Sequence, residues 1–228
     1  MRSLTTKVNI VYWLLVVADI WSILASDEQL HEALKPLLMP ALACSLLIQR
    51  SERNGFWLVI AALAFSWFGD VFLIFENYEP VFFMIGLGSF LVAHLFYIRF
   101  FLSIQPAIPG LLKKRPIFII IVAAYCIGLF LLLLPSLGPL KIPVFIYALV
   151  IGCMLLGSIH VSNKLGRLAN IYYIAGATLF VLSDSLLAIN KFYQPVPAAG
   201  AAIMLTYCAA QFFIVKGFLE KRENLSPA

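Results

Sequence analysis

Charge is scarce in this sequence. Asp, Glu, Lys and Arg make up 12% of 228 residues, while 63% are hydrophobic. A soluble domain carries about a quarter charged residues, so an ordinary soluble globular chain is excluded. Cysteine is scarce too. Cys44, Cys126, Cys153 and Cys208 all lie in apolar runs, with no Cys-x-x-Cys, which leaves neither a disulfide framework nor a cysteine metal motif. The three histidines, His31, His94 and His160, form no His-x-x-x-His or His-Glu-x-x-His pattern, and a helical zinc site needs such clustering. There is no Gly-x-Ser-x-Gly elbow for a serine nucleophile and no Gly-rich phosphate loop after a strand. The expectation is a protein without metal or cofactor. The net charge of +5 comes from loop Lys and Arg, which report topology rather than a nucleic-acid partner.

What the chain has in quantity is long apolar runs, at roughly 8–25, 36–49, 55–75, 81–102, 116–134, 142–160, 168–190 and 197–218. By length these are eight candidate spans. The first has a basic lead, Arg2 and Lys7, as a signal peptide would. However, it is longer than a usual h-region and contains Asp19, so it reads as an uncleaved span. The second run is short and interrupted by Pro40, and charge tests it. With all eight crossing, one side holds Arg2, Lys7, Arg50, Arg53, Arg99, Lys113, Lys114, Arg115, Lys164, Arg167, Lys216, Lys221 and Arg222. The other holds only Lys35, Lys141 and Lys191. Dropping the second span scrambles this bias. The positive-inside rule then puts both termini in the cytoplasm, at the plasma (inner) membrane if the source is bacterial. The fold class is all-α: one polytopic domain of eight transmembrane helices over 1–228.

In the third and seventh runs an aspartate deep in the run is the only charge. Asp70 lies in Gly69-Asp70-Val71-Phe72-Leu73 and Asp184 in Ser183-Asp184-Ser185-Leu186-Leu187. A carboxylate at membrane depth is costly and is usually retained for function. Counted from Gly55 and Leu168, the two lie ~22 and ~24 Å along their helices, in the outer part of the membrane. Each half of the chain, 1–105 and 113–228, holds four spans with the Asp on the third. The longest polar connection, Gln105 to Pro116, separates them. The halves read as two parallel four-helix repeats. As an acid/base pair, one carboxyl would donate a proton while the other activates water. The alternative is that each Asp only bonds a neighbouring helix.

Other polar residues in the spans are candidates for substrate contact. His94 and Tyr97 share a helix face at i, i+3, and Tyr207 and Gln211 at i, i+4. Lys35 and Lys141 precede Pro36 and Ile142-Pro143 at the start of the second and sixth runs, where they could hold a phosphate or simply snorkel to the interface. Asp19 and Tyr173 serve equally well as packing or supporting residues.

Taken in order, several of these segments are familiar. They are Lys35-Pro36, Ser66-x-x-Gly69-Asp70-x-x-Leu73, Gly86 followed by His94-x-x-Tyr97, Gly176-Ala177 before Ser183-Asp184-x-x-Leu187, and Tyr207-x-x-x-Gln211. Together the set resembles the YhhN-like lysoplasmalogenase family over nearly the whole chain. The resemblance implies a multi-pass enzyme that hydrolyses the vinyl-ether bond of lysoplasmalogens to a fatty aldehyde and glycerophosphoethanolamine or glycerophosphocholine. Asp70 and Asp184 match the family's acidic positions. From the residues alone, a proton-coupled small-solute carrier or a non-catalytic lipid-binding membrane protein would also use two intramembrane carboxylates.

Overall fold

The computed structural model describes residues 2–49, 54–104, 110–162 and 165–220. Arg50, Arg53, Lys164, Lys221 and Arg222 of the charge count, and 105–109 of the central connection, lie outside the described residues. Regular structure among those described is helical throughout. The helices are α1 (Arg2–Leu24), α2 (Glu28–Ile48), α3 (Phe56–Ile74), α4 (Pro80–Ser103), the short α5 (Leu111–Lys114), α6 (Ile117–Leu133), α7 (Lys141–Val161), α8 (Arg167–Phe192) and α9 (Ala199–Glu220). All but α5 are long and apolar enough to cross a membrane. Their outward faces carry exposed Ile120, Ile127, Leu131, Ile142 and Leu149, as expected where lipid is the solvent. Exposed Trp21 and Trp57 stand near helix ends, where aromatic rings sit at headgroup level. The chain is a multi-pass membrane protein.

One boundary departs from the apolar runs. The second run begins at Pro36, but α2 begins at Glu28, eight residues earlier. Asp27 caps it by accepting the Leu30 N–H at 3.0 Å, and Glu28 in the first turn complements the helix dipole. These turns are amphipathic, with Glu32 exposed and His31 and Lys35 turned inward, so a search for continuous apolar residues passes over them. Lys35 is therefore two turns inside the helix rather than at its opening.

Contacts divide the chain into two compact units, Met1–Phe100 and Phe101–Ala228. In the first, α2 packs on both α1 and α3. Pro40 has no N–H, so the Pro36 carbonyl lacks its helical donor. The Trp67 indole N–H of α3 donates to it instead, at 2.8 Å, which fixes the register of α2 against α3. Between α3 and α4 the register is set by stacked Phe65 and Phe96, 5.5 Å between centroids, and by Gly69. A Cβ at Gly69 would fall 2.6 Å from the Phe90 ring, so the helices approach closely there because a side chain is missing.

In the second unit, α8 packs along α9 and α7, and α6 along α7. The α8–α9 contact passes through Gly176, where a Cβ would meet Ile214 at 2.8 Å and the Ala210 carbonyl at 2.9 Å. The α6–α7 turn, with Pro135, Gly138 and Pro139 in two 3-10 turns, carries Leu133, Leu137 and Val144 onto Ala188, Ile189 and Phe192 at the end of α8. This cluster anchors the helix that carries Asp184.

Candidate functional site

In the first unit, Asp70 belongs to the inward stripe of α3, with Val59, Ala62, Leu63, Ser66 and Gly69. The helical spacing of that stripe turns Asp70 into the packed interior, where it is 1% exposed. Ser66, one turn earlier, is fully buried beside it in sequence. Asp70 is three residues past Trp67, so the Trp67–Pro36 bond brings it to the level of α2 between Lys35 and His31. Lys35 is 9% exposed. His94 and Tyr97 on α4 are fully enclosed. They lie on α4 close to the level of the stacked Phe65 and Phe96.

The first unit also holds a pair that sequence reasoning did not join. Asp19 of α1, fully buried, accepts from or donates to His31 of α2 through Oδ1 and Nδ1 at 2.8 Å. The Ser22 hydroxyl donates to the Asp19 carbonyl at 2.7 Å. Asp19 and His31 are twelve residues apart, across the α1–α2 turn. The available signal was the amphipathic start of α2, which turns His31 towards α1.

In the second unit, three consecutive residues of α8 reach three different helices, as the 100° step per residue allows. The Ser183 hydroxyl donates to the Ile203 carbonyl of α9 at 3.0 Å. Asp184 Oδ2 accepts the Tyr147 hydroxyl of α7 at 2.6 Å. Ser185 accepts the Tyr125 hydroxyl of α6 at 2.8 Å and donates to the Val181 carbonyl. Beside Asp184 lies a cavity of about 50 Å³ between α6, α7 and α8, apolar but for Tyr125, Tyr147, Asp184 and Ser185. That is room for a few waters or a short stretch of hydrocarbon. Tyr207 packs edge-on to Phe180, 5.5 Å between centroids, and Gln211 is fully buried. The Ser183–Ile203 bond sets the α8–α9 register, so these two lie about one and two turns from the Asp184 level. Tyr173 is a packing residue, edge-on to Phe101 at 5.4 Å and against Gly217.

Lys141 is exposed in the first turn of α7, whereas Lys35 is buried within α2. The two lysines thus occupy unlike places in their units. Neither Tyr147 nor Tyr125 was marked by sequence, because their partners lie on another helix. Among the described residues no three His, Cys, Asp or Glu side chains group as metal ligands do.

Comparison with known proteins bears on this arrangement. The profile of the YhhN family matches residues 30–218, which include both aspartates, Lys35, His94, Tyr97, Tyr147, Tyr207 and Gln211. The chain is 31% identical over 203 residues to the lysoplasmalogenase of Mycobacterium bovis, covering 88% of this chain and 74% of that one. It is 32% identical over 169 residues to human lysoplasmalogenase TMEM86A, 72% of this chain and 66% of that one. To human lysoplasmalogenase TMEM86B it is 38% identical over 159 residues, 69% of this chain and 61% of that one. No solved structure matches. With a family profile that spans most of its helices, the chain belongs to the YhhN family.

Proposed function

We propose that this protein is a lysoplasmalogenase-type hydrolase, which cleaves the vinyl-ether bond of lysoplasmalogens within the membrane. The observation that carries the reading is a carboxylate set among the buried residues of a spanning helix, twice, in a YhhN-family chain whose relatives bear that name. The products are a fatty aldehyde and glycerophosphoethanolamine or glycerophosphocholine.

The chemistry suits two carboxyls. One protonates the outer alkene carbon, and the electron pair of the double bond forms the new C–H bond. The cation left on the adjacent carbon is shared with the ether oxygen as an oxocarbenium ion. Water adds to that carbon while the other carboxylate takes its proton. The hemiacetal then collapses, breaking the carbon–oxygen bond to release aldehyde and alcohol. Glycosidases handle a related cation with a similar carboxyl pair. Asp70 and Asp184 are assigned these roles. The Tyr147 hydroxyl donates to one oxygen of Asp184 and orients the carboxyl. Lys35, Lys141, His94, Tyr97, Tyr207 and Gln211 are assigned to substrate contact. Both termini are assigned to the cytoplasmic side, at the plasma (inner) membrane if the source is bacterial.

The test is product analysis with purified protein in detergent. Lysoplasmalogen should yield free aldehyde, while the ester and alkyl-ether analogues, which lack the protonatable alkene, should not. Binding or transport of the lipid without aldehyde would refute the reading.

A further inference from the structure

The first turns of α2 carry a lysine whose stem is buried in the helix interface. Lys35 lies on the face that takes Leu38, Leu42 and Ser45 into the helix interface, and nine-tenths of it is buried. Among the described residues it has no ion pair and no hydrogen bond. Its Nζ is not one of the enclosed unpartnered polar atoms, so the buried stem carries the ammonium to an accessible point where a ligand can meet it.

His31 adds a second donor one turn earlier on the same face. Its Nδ1 is 2.8 Å from Asp19 Oδ1, and Asp19 is fully buried, with Oδ2 lacking a partner among the described residues. A carboxylate in that position accepts the Nδ1–H hydrogen bond, fixes the ring and directs Nε2 away. The His31 side chain keeps 24% of its surface exposed. Helical side chains tilt towards the helix N-terminus, so Lys35 leans towards His31. Glu32, between them in sequence, is exposed. The Asp70 level falls between the two.

We propose that Lys35 and His31 form a phosphate subsite, in which the Lys35 ammonium and the His31 ring, carrying both its protons between the Asp19 carboxylate and the incoming anion, bind the phosphodiester of a lysophospholipid headgroup. Asp19 is the positioning residue behind His31. The inference rests on the lysophospholipid reading given above. In such a lipid only the three-carbon glycerol separates the phosphate from the vinyl-ether oxygen. An anchor here therefore sets the scissile bond within reach of the Asp70 layer.

Equilibrium binding tests this without turnover. The full-length protein in a non-ionic maltoside detergent is titrated with the ester lysolipid lysophosphatidylethanolamine, with a phosphate-free 1-O-alkylglycerol, and with inorganic phosphate as competitor. Lys35→Gln and His31→Gln should each raise the lysolipid Kd about tenfold or more, the scale of losing a charge-assisted hydrogen bond. Lys35→Arg should stay within about threefold, since it keeps the charge. Asp19→Asn should weaken lysolipid binding and leave alkylglycerol binding unchanged. Unliganded Lys35→Gln should be at least as thermally stable as the parent. The proposal is overturned if Lys35→Gln binds lysolipid normally, loses alkylglycerol equally, or fails to fold. It is overturned also if inorganic phosphate competes as tightly as the lysolipid binds, because the site would then serve free phosphate. Absence of aldehyde release would count against the proposed function and leave these binding results intact.

Discussion

Tyr147 determines how Asp184 is held. Its hydroxyl donates at 2.6 Å from a neighbouring helix, beside a mainly apolar cavity that Tyr125 and Ser185 also line. Tyr147→Phe keeps the ring and removes the donor. The expected result is a fall in kcat of about tenfold, with a loss of stability of only about 1–2 kcal/mol. Tyr125→Phe removes a bond to Ser185 rather than to the carboxylate and should leave kcat within about threefold. Aldehyde release and thermal unfolding of the two variants check this. Asp70 and Asp184 were legible in the sequence because each is the lone charge in a long apolar run. Tyr147 was not. Among nine tyrosines, Tyr97 and Tyr207 drew attention through polar neighbours on their own helices. Tyr147 has its partner on α8, and no spacing rule within α7 reveals it. The bond between Asp19 and His31 was missed for the same reason.

At the scale of the helix, close approach depends on absent side chains. Gly176 meets both a flexible partner, Ile214, and a rigid one, the Ala210 carbonyl. A larger residue must therefore push α9 away from α8 rather than only rotate a side chain. Gly176→Leu should destabilise the protein by about 1–3 kcal/mol or more, read as a lowered unfolding temperature in detergent. Gly88, where an added Cβ meets nothing within 4 Å, should tolerate alanine. Most helices were legible as apolar runs, and their turns as Pro and Gly clusters. The start of α2 was not, because Glu28 and Glu32 break the run while the helix continues on capping and amphipathicity. Pro36 and Pro40 look like breakers in sequence, yet both lie inside α2. The Trp67 indole compensates for the missing Pro40 donor, a tertiary contact that no local pattern announces.

For the whole molecule, the charge distribution makes a prediction about sidedness. In a background without the native cysteines, Cys at Tyr78 should react with an impermeant outside reagent. Cys at Lys114 should be protected until the membrane is opened. The opposite pattern would reverse the topology on which the depth of both aspartates was argued. Each compact unit contains an aspartate-bearing span with Gly or Ser before the Asp. Two parallel repeats remain a proposal, and the units differ in detail. A buried Lys35 and an Asp19–His31 pair mark the first, an exposed Lys141 and a Tyr147–Asp184 bond the second. The central claim is that both aspartates perform the chemistry. Asp→Asn preserves shape and removes titration, so the most direct measurement is aldehyde release by folded Asp70→Asn, Asp184→Asn and double-variant proteins. Each single variant should lose at least about a hundredfold in turnover. The double variant should be little worse, since groups acting as a unit are not additive. Near-normal turnover in both folded single variants would contradict the account and leave the two carboxylates as structural groups.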